Sequence, residues 1–374
     1  MPVNYESRVN NLKSRRKGSS QIAAMDSMLE STQILVNKSR QQETWESRAT
    51  EKKATNYALG AMQEVDPVYT RISIETGERI ENQLYRRLKA IGLETAYRLQ
   101  GSVPLNIHIK GISDVDILAI DEQMLMFATD GIKSSSYFPA GKDGLDVLQS
   151  LRSNVEECLS DAFPAAKVHT DNAKSVKITG GSLARDVDVV PAIWWDTKNY
   201  QQSERENDRG VAILDKNIPA RVYNTPFLHI NLIDMRCNQT AGCLKKSIRL
   251  LKNIKADAES EGTKIGLSSF DIASMMYHCN LVNLSRGRFF ELAVLAETQR
   301  WLDWLWHNFE AAKLLDVPDG TRKIFDHDDK KRELLILSTQ VDNLLKAVAL
   351  EVNSSLVDGT PVAVIREYVG ASIV

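Results

Sequence analysis

The sequence predicts an α+β protein: a small mixed sheet flanked by helices in the first half, a helical second half, and a long N-terminal helix. Three observations carry this expectation. Before residue 215, short apolar runs at 105–110, 114–120 and 186–190 are interleaved with amphipathic stretches, the mark of mixed strands and helices. From about residue 216, apolar residues recur every three or four positions through four long stretches. Between the two regimes, 198–208 is rich in Gln, Asn, Glu and Arg and reads as a surface loop. The 374 residues exceed the roughly 250 to 300 at which a single core stops growing. The expected units are therefore an N-terminal helical segment, 1–65, a mixed α/β core, 66–215, and a helical C-terminal domain, 216–374.

Each element has its own signal. Good helix formers from Ser20 to Glu64, with Ile22, Met25, Met28, Leu29, Ile34 and Leu35 at helical spacing, predict the long N-terminal helix. A second helix is expected from Thr76 through Ile80, Leu84, Leu88 and Ile91, stopped by Gly92. The segments 105–110 and 114–120 read as strands separated by Gly111. A helix is expected over 145–163, ended by Pro164, then short strands at 168–169, 175–178 and 186–190. In the second half, 227–235 looks extended, and helices are expected over 244–258, 269–284, 286–315 and 330–353. The last six residues, 369–374, read as a flexible tail.

Composition narrows the function. Lys and Arg total 47 against 49 Asp and Glu, a balance that gives no general attraction for a nucleic-acid backbone. No nucleic-acid activator is expected. Cys158, Cys237, Cys243 and Cys279 form no CxxC pair, which fits free thiols in a reducing compartment. With no apolar leader in 1–20 and no run of roughly 18 to 20 apolar residues, the expectation is a cytoplasmic chain without a membrane partner. A monomer is the expected state.

The chemistry lies in three pieces: Gly101-Ser102, then Asp114-x-Asp116 at a strand start, then Asp188 inside a later strand. Strand side chains at i and i+2 share a face, so Asp114 and Asp116 stand side by side. Two such carboxylates repel unless a cation lies between them. Mg²⁺, which prefers hard oxygen ligands, is the natural choice, with Mn²⁺ as substitute. If Asp188 comes from a neighbouring strand, two ions can be held, an arrangement that activates a hydroxyl and stabilises a leaving pyrophosphate. A Gly-Ser turn adds backbone N–H groups and a hydroxyl for phosphate oxygens. Gly-Ser alone is a common turn and Asp-x-Asp alone is often a solvated strand end; their order before an apolar strand is what points to nucleotidyl transfer. Asp186 shares the face of Asp188, but Asp188 sits deeper in the apolar run, so Asp186 is the reserve.

At these residues the sequence resembles the cGAS/DncV-like nucleotidyltransferases of the DNA polymerase β-like superfamily. The matching strings are Gly101-Ser102, Ser113-Asp114-Val115-Asp116-Ile117-Leu118, Asp186-Val187-Asp188-Val189-Val190-Pro191-Ala192, and Leu244 to Lys252. The resemblance covers about residues 60–285 and implies a polymerase β-like core with a helical C-terminal domain. It favours Asp188 as third carboxylate, and it implies that a basic residue from the helix after 243 reaches the triphosphate. Lys245, Arg249 and Lys252 lie on one face of that helix. Ser269-Phe270 resembles the family's Ser-aromatic pair at the donor phosphate and base, although a core aromatic is the ordinary reading of Phe270. His229, Cys237 and Cys243 lack a fourth ligand, so no closed zinc site is expected. His108 reads as facing either solvent or the sheet, His278 as a core residue, and Trp301, Trp304 and Trp306 as helix packing.

The resemblance implies synthesis of a cyclic di- or trinucleotide messenger from nucleoside triphosphates, sensed by a downstream effector in CBASS-type antiviral signalling. The alternatives are a nucleotidyltransferase with an RNA or other macromolecular acceptor, and a catalytically silent binding module. Intact Asp114, Asp116 and Asp188 argue against the last.

Overall fold

The computed structural model describes residues 3–17, 42–357 and 359–374. The helical positions expected at Ile22, Met25, Met28, Leu29, Ile34 and Leu35 lie outside the described residues. An N-terminal helix is present as α1 (Tyr5–Lys17). The described part of the expected 20–64 helix is not continuous: a 3₁₀ turn spans Thr44–Ser47, Ala49 takes a left-handed φ of 50°, and α2 runs only over Lys53–Met62. Trp45 explains the break, because its indole folds back onto Gly60, where a β-carbon would lie 2.5 Å from the ring. A straight helix cannot place side chains fifteen residues apart in such contact.

Helix α3 (Pro67–Ala90) starts well before the expected Thr76, because Pro67 opens the first turn and the Asp66 carboxylate caps the Val68 N–H. Gly92, at φ 83°, ends it as expected. The chain then forms β1 (Thr95–Gln100) and β2 (Val115–Phe127). The strand expected at 105–110 does not form. Turns occupy 101–106, Asn106 has φ 52°, and alternation there reflects burial on both sides: Leu105 and Ile107 enter the helical core while Lys110 lies over the Tyr69 ring.

Helix α4 (Gly144–Ala162) precedes β3 (Ala166–His169), β4 (Val176–Gly180) and β5 (Val187–Asp196). The expected 198–208 loop contains a short helix, α5 (Lys198–Ser203), capped by the Thr197 hydroxyl. Two further strands, β6 (Gly210–Asp215) and β7 (Ala220–Asn224), escape the period-two reading because β6 is buried along almost its whole length. The sheet order is β1-β2-β5-β4-β3, with β6 on the distal half of β5 and β7 beside β6. Among the described strands, β2 and β5 alone run parallel.

Helices then fill the chain. The segment 227–235 is helical within α6 (Pro226–Gln239), not extended; Pro226 opens the helix, and Phe227, Ile233 and Cys237 are buried at helical spacing. Next come α7 (Cys243–Ser260), α8 (Ser269–Tyr277) and α9 (Leu281–Ser285), the last two split by the Asn280 cap in place of the single helix expected over 269–284. The expected 286–315 helix is likewise divided into a 3₁₀ turn at Arg286–Arg288, α10 (Ala293–His307) and α11 (Phe309–Ala312). Helix α12 spans Asp329–Val352. The C-terminal residues, expected as a tail, are ordered instead: α13 (Val362–Gly370) buries Val369 completely, and Arg48 donates a hydrogen bond to the Val374 carbonyl at 2.9 Å.

One core joins α1 and α2 to the helices after residue 226, with Leu12, Tyr57 and Leu59 among Leu244, Leu251 and Leu344. A second core lies between the sheet and α3 and α4, around Ile80, Leu84, Ile117, Val155 and Val189. No described helix is long and apolar enough to cross a membrane.

Candidate active site

Strand geometry builds the site. Val115, Ile117, Val187 and Val189 point into the α3/α4 core, so the intervening residues point to the opposite face. Asp116 and Asp188 are direct partners in the parallel β2–β5 ladder and therefore stand on that same face. Asp114, two residues before Asp116, meets Asp188 through a common partner, the ammonium of Lys177. The three carboxylates predicted from sequence thus come together.

The surroundings of Asp116 and Asp188 resist ionisation. Burial, then the negative charges of Asp188 and Asp114, raise the Asp116 carboxyl to about 7. Burial also raises Asp188, opposed by the Ser175 hydroxyl, which donates to its Oδ1 at 2.7 Å. A lysine stands among them. Lys177 on β4 is the ladder partner of Asp188; its ammonium pairs with Asp114 and lies 3.9 Å from both Asp186 and Asp188. Burial works against this ammonium, yet the Asp114 hydrogen bond and the surrounding carboxylates hold its pKa above the ordinary lysine value. Among the described residues no three His, Cys, Asp or Glu side chains form a ready-made metal cage. Asp186 sits at the strand entrance, more exposed than Asp188.

Above the carboxylates, Gly101 follows β1 directly with φ 73°. A side chain there would push the carboxylate aside, since a β-carbon would lie 2.1 Å from Asp116 Oδ2. Gly101, Ser102 and Asp116 line a cavity of about 640 Å³ that extends to Lys252, Ser269 and Phe270. Its volume falls in the range of small-molecule sites.

The basic helix face divides. Lys252 lines the cavity; its ammonium donates to the Ile107 carbonyl at 2.9 Å, and burial lowers its pKa to about 8 although Asp116 favours the charge. Arg249 is buried away from the cavity, donating to the carbonyls of Met62 and Asn106, both at 2.8 Å. Lys245 pairs with Asp234 at 2.5 Å and is also outside the lining. Phe270 does more than fill core: it edges the cavity, stacks on His229 with ring centroids 4.4 Å apart, and has the Arg322 guanidinium 5.2 Å from its ring. Cys237 and Cys243 are buried free thiols.

Sequence reasoning misses Lys177, Ser175, Tyr223 and Arg322. A signal for the first two is present, because Ser175 and Lys177 alternate with Val176 and Ile178 and so face away from the α3/α4 core. Nothing local marks Tyr223 or Arg322, which join the cavity lining from β7 and from the α11–α12 connection.

Paired carboxylates on adjacent parallel strands, a glycine turn abutting one of them, and a cavity of nucleotide size define the chain as a nucleotidyltransferase. Residues 232–346 match the family model described as the cGAS/DncV-like nucleotidyltransferase C-terminal helical domain. The chain is 49% identical over 363 residues to the cyclic dinucleotide synthase CdnE of Yersinia aleksiciae, covering 95% of this chain and 94% of that protein. It is 33% identical over 308 residues to a c-di-GMP synthase of Capnocytophaga granulosa, covering 76% and 85%. The solved structure of the STING-associated CdnE c-di-GMP synthase from Capnocytophaga granulosa has a TM-score of 0.69 at 30% identity, covering 91% of this chain and 97% of the other. The chain belongs to the cGAS/DncV-like nucleotidyltransferases, with their polymerase β-like fold.

Proposed function

We propose that this enzyme condenses nucleoside triphosphates into a cyclic di- or trinucleotide messenger, read by an effector in CBASS-type antiviral defence. The observation that carries the reading is the in-register Asp116–Asp188 pair, with Gly101 closed down on Asp116 where both line the cavity. Near-complete coverage of a 49% identical cyclic dinucleotide synthase supports the product class. The STING association in the name of the Capnocytophaga relative supports a signalling role.

The donor set suits hard divalent cations. The lysine ammonium drawn in among the carboxylates answers the negative charge gathered at this point. Asp114, Asp116 and Asp188 would hold two Mg²⁺ ions, or Mn²⁺, which supply a lowered pKa for the attacking hydroxyl and charge neutralisation for pyrophosphate. The chain's own residues then orient the donor. The exposed backbone at Gly101 and the Ser102 hydroxyl face the phosphates, with Lys252 and Ser269 as further donors across the cavity. Phe270 offers a face for a base. Lys245 and Arg249 are left out of this role by their own partners.

Balanced charge supports activity without a nucleic-acid activator, and a single chain in the cytoplasm suffices. Incubation with labelled ATP, GTP, CTP and UTP and Mg²⁺ or Mn²⁺ should yield phosphatase-resistant cyclic products, absent with Asp114→Ala/Asp116→Ala. Label entering added RNA instead would establish the macromolecular-acceptor reading and overturn this one.

A further inference from the structure

We infer that Lys177 is a tethered counter-ion of the carboxylate row, and that a divalent cation enters this site by displacing its ammonium from Asp114. The inference rests on the metal-holding reading of Asp114, Asp116 and Asp188. It goes beyond that reading in assigning a role to a residue on a different strand.

The backbone alone aims Lys177 at the row. Lys177 pairs with Asp188 across the β4–β5 ladder, and Asp188 pairs with Asp116 across β5–β2, so the three stand in line on one sheet face. Adjacent strands lie about 4.8 Å apart, and a four-carbon stem spans that gap. The ammonium accordingly passes Asp188 to reach Asp114, and its charged partners among the described residues are all acidic: Asp114, Asp186 and Asp188. Ser175, two residues earlier on the same strand face, completes the arrangement by holding Asp188 Oδ1 at 2.7 Å.

Three carboxylates gathered on one face repel one another, and without a cation the folded chain bears that repulsion. An ammonium on the same chain relieves it at high effective concentration. The same contact makes Lys177 a competitor for any incoming ion, because Asp114 cannot place the same oxygen on both. Lys177 thus stabilises the metal-free fold and weakens metal binding.

The test is Mn²⁺ titration of the full chain without nucleotide, following free Mn²⁺ by electron paramagnetic resonance, for wild type, Lys177→Met and the control Lys167→Met. Lys177→Met should bind Mn²⁺ about tenfold more tightly or better, melt at a lower temperature in chelator, and recover when Mn²⁺ is added. Unchanged or weaker Mn²⁺ binding by Lys177→Met overturns the inference. If that variant does not fold, acetylation of wild-type lysines read by mass spectrometry decides: Mn²⁺ should raise modification of Lys177 and not of Lys167, and no rise overturns the inference. Mn²⁺ binding that survives Asp116→Asn/Asp188→Asn overturns the metal-site reading itself, an outcome distinguishable from failure of the Lys177 role alone.

Discussion

The backbone of Gly101 lies so close to Asp116 that a β-carbon on the glycine would stand 2.1 Å from Oδ2 of the aspartate. The glycine also holds φ 73°, a conformation unfavourable to other residues. Gly101→Ala should therefore push the carboxylate out of line and lower turnover about a hundredfold. Initial rates of triphosphate consumption, alongside circular dichroism to confirm folding, check this. Wild-type turnover in a folded variant would show that Asp116 need not sit where it does.

Asp188 and Asp186 are separated by their partners. Asp188 is aligned with Asp116 and bonded by Ser175, whereas Asp186 stands at the strand entrance with a more exposed side chain. Asp188→Asn should reduce turnover by roughly a thousandfold or more, the scale of losing a catalytic electrostatic group, while Asp186→Asn should stay within about tenfold of wild type. Equal losses from the two variants would mean that the third carboxylate is wrongly assigned.

Three cations on α7 should respond differently to truncation. Lys252→Ala should raise KM for the triphosphate, because Lys252 lines the cavity. Arg249→Ala leaves the Met62 and Asn106 carbonyls without their donor and should cost roughly 3 kcal/mol of stability. Lys245→Ala removes an ion pair with a partly exposed Asp234 and should change neither KM nor, beyond about 0.5 kcal/mol, stability. Denaturant titrations and saturation kinetics on the three variants separate the roles.

Lys110 gives a pH dependence away from the carboxylates. Burial, reinforced by Arg185 and Arg16 and opposed by Glu43, lowers its pKa to about 6, against about 10.4 in an unfolded chain. Between these values the unfolded state binds more protons, so this group makes stability rise with pH, fully expressed above the unfolded value and lost as pH falls towards 6. Lys110→Met should remove that slope. In urea titrations at several pH values, the stability of the variant relative to wild type should be greatest near pH 6 and shrink towards pH 10. A difference independent of pH would show that the amine titrates normally.

Helix α13 predicts that the C-terminus is structural. Val369 is fully buried and Ile365 nearly so. Val369→Asp should cost about 3 kcal/mol or more by burying a charge in an apolar site. A thermal melt identical to wild type would mean that the segment does not hold the helical core.

Part of the site is legible locally: Asp114, Asp116 and Gly101 lie near one another in sequence, and strand periodicity alone puts the two carboxylates on one face. Asp188, distant from them, is legible through its place in the apolar run 187–190 and through the family resemblance. Other features depend on distant segments. The run at 105–110 alternates as a strand does, yet its carbonyls bond to Arg249 and Lys252, more than 130 residues later. Helix propensity overextends the 20–64 helix because it does not register that Trp45 must return to Gly60. Strands β6 and β7 hide in short segments whose burial belongs to the assembled sheet, and 227–235 looks extended because β-branched and aromatic residues serve a buried helix equally well.

The sequence by itself determined the class of reaction and singled out the carboxylates proposed to serve it. An aspartate side chain is short, so its carboxylate goes where the local backbone directs it. Only the tertiary structure decided which cations meet those carboxylates. Lys177 and Lys252 reach the site, while Lys245 and Arg249, on the same face as Lys252, are drawn elsewhere. A long, flexible cation settles on whichever partners the packed chain brings within range, and those partners are distant in sequence.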